Sequence, residues 1–122
     1  MEQFTPTVSD ADVERIIARD VSPERQPEVR EIVRQLEVRE KPRVVLACLK
    51  NARGDIAKLK DQLAEARGYY REIVAEAEYP NYVKHVFHLD RLSEKERQDI
   101  LAKDKQQYLA WLDGSAREAS SH

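Results

Sequence analysis

Apolar residues recur every three or four positions along most of this chain, which is the period of a helix rather than of a strand. Ser9 is placed to cap a first helix, with Asp12 three residues on to complete a capping box and Val8 and Val13 spaced as a hydrophobic staple. That helix should run to about Asp20 and turn Val13, Ile16 and Ile17 inward. Pro27 would remove a needed N–H from the second turn of any helix opened at Ser22-Pro23. The pattern therefore predicts a short turn over 23–26 and a helix from about Pro27 to Val38, with Val29, Ile32, Val33 and Leu36 on its inner face. Pro42 sits at a favoured first position of a third helix. Residues 44–49 are apolar on every side, which makes this the most central element. A buried strand would explain the same run, but no partner strand exists elsewhere in the pattern. Gly54 ends this helix and Asp55 caps the next.

From there Ile56, Leu59, Leu63, Ala66, Tyr70, Ile73 and Ala77 alternate three and four apart, a heptad seam. The seam fits one long helix or two broken at Gly68, because a glycine costs about 1 kcal/mol inside a helix. Tyr79-Pro80 interrupts the chain. Tyr82, Val83, Val86, Phe87 and Leu89 suggest a short helix over 81–89. Ser93 caps a last helix, with Glu94 and Glu96 near its positive end. Ile100, Leu101, Tyr108, Trp111 and Leu112 form its apolar face, and Asp113-Gly114 stops it. The expected fold is all-α, a compact bundle of five to seven helices with no β-sheet. Residues 1–8 read as an irregular lead, 9–113 as a single helical domain and 114–122 as a disordered tail.

Residues 49–82, with Gly54-Asp55, Leu59, Leu63, Tyr70-Arg71 and Ala77-Glu78-Tyr79-Pro80, resemble a pattern in small uncharacterised bacterial helical proteins. So do residues 96–112, from Glu96-Arg97-Gln98 through Tyr108 to Trp111-Leu112. The resemblance implies a bacterial origin and a helical fold, and it implies no activity.

Charge narrows the choice of partners. The chain carries a net charge of −2, which argues against a broad phosphate-binding face. The one basic stretch is 41–67, where Lys50, Arg53, Lys58 and Lys60 are the candidates for meeting phosphate or an acidic protein. Cys48 is the only cysteine, so no intrachain disulfide can form, and a single thiol fits a reducing compartment. No run of about eighteen apolar residues is present. A cytoplasmic protein with no membrane association is expected, as a monomer or as a homodimer paired along the heptad seam.

No catalytic set emerges, and no cofactor is expected. Cys48 lies in an apolar run, where burial makes a thiol inert. His85 and His88 share a helix face if 81–89 is helical, and two histidines at that spacing can ligate a metal. They are weak metal candidates, because no motif places a third ligand. Asp104 puts a carboxylate in the middle of an apolar stripe. It must be paired, be capped by backbone N–H groups or face a cleft. Tyr79 and Tyr82, at a proline-containing corner, are aromatics of the kind that anchor protein interfaces. The reading is a non-catalytic protein-binding adaptor, regulator or inhibitor, with Tyr79, Tyr82 and Asp104 as its candidate contacts. The alternatives are a nucleic-acid-binding protein using 41–67 and a small metal-dependent enzyme using His85 and His88.

Overall fold

Several helices open where a side chain satisfies the first free amides. The computed structural model describes residues 4–114. Among these residues there are seven α-helices and no strand: α1 Asp10–Asp20, α2 Gln26–Gln35, α3 Lys41–Ala52, α4 Ile56–Ala66, α5 Arg71–Glu78, α6 Pro80–Val83 and α7 Glu94–Asp113. Two 3-10 segments, Pro23–Arg25 and Val86–Arg91, complete the set. The all-α expectation holds. The expected tail falls almost wholly outside the described residues. No helix among the described residues is long and apolar enough to cross a membrane. The helices gather in two units, one of residues 6–77 and one running from Glu78 onward together with Phe4 and Thr5.

The first unit is built around α3. Val44, Val45, Leu46, Ala47, Cys48 and Leu49 are all buried, with α1 and α4 against them. Burying each large side chain contributes about 1.5–3 kcal/mol. Val13, Ile16 and Ile17 come from α1, Val29 from α2, and Leu59, Leu63 and Ala66 from α4. The capping box of Ser9 and Asp12 opens α1 as expected, and the Asp55 carboxylate accepts the Lys58 amide at 3.1 Å to open α4.

Asn51 points inward from α3. Its Nδ2 donates to the Ile73 carbonyl at 3.0 Å and to Gln62 Oε1 at 3.1 Å, tying α3 to α4 and α5. α3 exits through left-handed backbone at Arg53 (φ 51°) and Gly54 (φ 85°). Glycine suits that conformation because it has no Cβ to clash.

The seam over 56–77 is two helices. The amides of Gly68 and Tyr69 both donate to the Glu65 carbonyl, at 3.1 and 3.0 Å, and wind up the end of α4. Leu59, Leu63, Ala66, Ile73 and Ala77 remain buried across the break. These seam residues are thus packed within the chain.

In the second unit α7 carries a reciprocal cap. Ser93 Oγ accepts the Glu96 amide at 3.0 Å, and Glu96 accepts the Ser93 amide at 2.9 Å. These bonds, to the Ser93 backbone first, hold the Glu96 carboxyl below the usual carboxylate range. The group is more acidic when folded, so its contribution is present at neutral pH and fades as pH falls through that range. Leu101, Asp104 and Tyr108 face inward from α7, which packs on α6.

The expected helix over 81–89 does not form as one piece. α6 stops at Val83, and His88 (φ −144°, ψ 34°) interrupts the following 3-10 segment.

Leu46→Ala should lower the unfolding free energy by about 2–5 kcal/mol, because α3 is enclosed on all sides and cannot collapse to fill the void. Urea denaturation followed by circular dichroism measures it.

Candidate functional site

The second unit is organised by one buried carboxylate. Asp104 is 1% exposed. Its Oδ1 accepts the Asn81 amide at 3.0 Å and Asn81 Nδ2 at 2.8 Å, and its Oδ2 accepts the Tyr82 amide at 3.0 Å. Pro80 opens α6 and has no N–H to offer. The next two amides are the ones Asp104 takes, so a side chain of α7 serves as the N-terminal cap of α6. Of the three environments open to this carboxylate, the backbone cap is the one found. Asp104 is turned inward with its lone pairs in use.

Tyr79 is likewise turned inward. It is buried, and its hydroxyl donates to the Phe4 carbonyl. Tyr82 is half-buried, with its amide committed to Asp104. Glu78 is fully enclosed, and no periodicity in the sequence marked it for burial.

The side chains that do reach solvent at this corner are Val83, Val86 and Phe87, at 41%, 49% and 97% exposure. They were expected within one short helix over 81–89. The chain leaves helical geometry at His85 (φ −106°, ψ 8°) and again at His88, so the three-and-four spacing no longer stacks them over one face. Lys84 and Arg91 are exposed beside them in the chain. Neither makes an ion pair among the described residues.

His85 and His88 do meet. Nδ1 of His85 lies 3.1 Å from Nε2 of His88, with the rings edge to face. Each ring satisfies the other, one nitrogen donating and one accepting. Among the described residues no third His, Cys, Asp or Glu side chain joins them in a group able to hold a metal.

The basic candidates lie at the end of α3 and along α4. Lys60 is paired with Glu28 at 2.6 Å. Lys58 and Lys60 are two residues apart on α4 and so project to different sides. Arg53 ends α3 in left-handed backbone, and Lys50 is half-buried near the same end. Beside α2 and α4 an open groove of about 450 Å³ is lined by Ile32, Leu36 and Leu63, with Glu28, Lys60 and Arg67 among its polar residues. Leu36 and Leu63 are already buried in the first unit, and the Lys60–Glu28 pair occupies the rim. Burial pushes the Cys48 thiol up to about 12, which leaves it without thiolate at neutral pH.

No known protein family, curated protein or solved structure matches this chain.

Asp104→Ala should cost on the order of 2–3 kcal/mol, because it strands buried donors; Asp104→Asn, which keeps one acceptor oxygen, should cost less. Thermal unfolding of the two variants checks this. A disulfide reagent at pH 8 should modify no thiol in the folded protein and one per chain in guanidinium.

Proposed function

We propose that the protein is a non-catalytic binding module that docks another protein through the exposed side chains of Val83, Val86 and Phe87. The observation that carries this reading is Phe87, which is 97% exposed. An aromatic ring left in water forgoes about 1.5–3 kcal/mol that burial would contribute. A partner that covers it recovers that energy, and aromatic anchors of this kind dominate interface energetics.

The flanking exposed charges, Lys84 and Arg91 against Asp90, bias the partner's chemistry. Lys84 and Arg91 are exposed cations without an ion pair among the described residues. They favour a partner segment that presents an apolar strip edged with carboxylates. Such charges at the rim act mainly on the rate and specificity of encounter.

The reading also follows from how the polar candidates are used. Asp104 and Tyr79 serve as internal ties, His85 and His88 satisfy each other, and the Cys48 thiol is enclosed. Each of these groups has a structural occupation, which supports binding over chemistry.

Phe87→Asp should leave the unfolding free energy within about 0.5 kcal/mol of wild type, since almost nothing packs on that ring. It should abolish capture of the partner by a photo-crosslinking residue placed at position 83. The same crosslinker at Tyr69, an exposed aromatic of the first unit (74%), is the control. If the Phe87→Asp chain captured the same protein as wild type, these side chains would not be the docking surface.

A further inference from the structure

The N-terminal segment offers a second recognition feature, independent of Phe87. Residues 4–9 have no regular secondary structure, yet Phe4 is held at three points by the second unit. The Tyr79 hydroxyl donates to its backbone carbonyl. Its ring stands edge-on to Tyr108, centroids 6.1 Å apart. The Lys105 ammonium lies 5.4 Å from the ring centroid on the opposite chemistry, a cation over an aromatic face. Tyr108 in turn packs against Trp111 at 5.7 Å. Phe4 is only half-buried.

This is how a receptor holds an extended peptide. One donor reads a main-chain carbonyl, which any residue supplies. An aromatic wall and a cation read the ring, which only an aromatic residue supplies. Helical core residues are fixed by their own backbone bonds, whereas Phe4 is fixed by what the socket does to it.

We propose that Tyr79, Lys105, Tyr108 and Trp111 form a binding site for an extended protein segment bearing a phenylalanine, and that Phe4 is its tethered resident. A free segment of the same chemistry competes with Phe4 for the socket. Because Phe4 is covalently joined to the socket it has an effective concentration that a free segment must exceed, so the free segment enters fully only when Phe4 is removed or outnumbered.

The test uses the full chain and the peptide of residues 2–9. Trp111 is the only tryptophan, so its emission reports occupancy. The peptide should bind the Phe4→Ala chain saturably and bind the wild-type chain at least tenfold more weakly. A peptide with alanine in place of its phenylalanine should bind neither. A folded Phe4→Ala chain that binds no peptide would overturn the proposal, as would equal affinity for both chains or equal binding of the alanine peptide.

A second measurement stands if Phe4→Ala does not fold. The chain has two phenylalanines, so 4-fluorophenylalanine labelling of the wild-type protein gives two fluorine resonances. Phe87, 97% exposed, supplies the solvent reference. Excess peptide should move the Phe4 resonance toward that of Phe87, and an unmoved Phe4 line at millimolar peptide would sink the idea. Neither outcome bears on partner capture at Phe87, so the two readings fail separately.

Discussion

A charge cannot be enclosed without donors, and the second unit is arranged around that requirement. Asp104 stands on the inner face of α7, between Leu101 and Tyr108. An isolated carboxylate there would cost several kcal/mol. The amides at the start of α6 carry the partial positive charge that meets it, and they are free only because a four-residue helix begins at Pro80. The cap therefore fixes both the orientation of α6 and the point at which it must start. Everything after Val83 follows from where that short helix ends: the chain turns at His85, the helical period lapses, and Phe87 is delivered to the surface.

The helices themselves were largely legible, because their signals are local. Ser9 with Asp12, Asp55, and Ser93 before the last helix each cap a helix at the position the sequence marks. The apolar run 44–49 is the most deeply buried stretch of the first unit. Gly68 was ambiguous because its cost of about 1 kcal/mol is no larger than one good packing contact. Tertiary packing decides such a case, and here α4 ends.

The candidate site was far less legible. Tyr79 and Asp104 stood out correctly as unusual, but what makes them so is a bond to a residue 75 or 23 positions away. No spacing rule encodes that. Val83, Val86 and Phe87 were read into one short helix for the opposite reason. Their spacing imitates a helix, and only the backbone at His85 and His88 breaks it. Glu78 and Asn51 show the same limit in polar residues, since both are enclosed by partners that lie elsewhere in the sequence or by neighbouring packing.

The two ends of α3 carry a consequence for how this chain can change over time. Glu40 precedes the helix at φ 51° and Arg53 follows it at φ 51°, two non-glycine residues in a conformation that costs roughly 1–2 kcal/mol each. Between them lies a rod apolar around its whole circumference. Adding or deleting one residue inside it would rotate every later side chain by about 100° and move both bends out of register with α1 and α4. Length variation should therefore be tolerated in the connections and refused in α3, so that among diverged copies the interval between those two bends stays at twelve residues even where the identities within it drift.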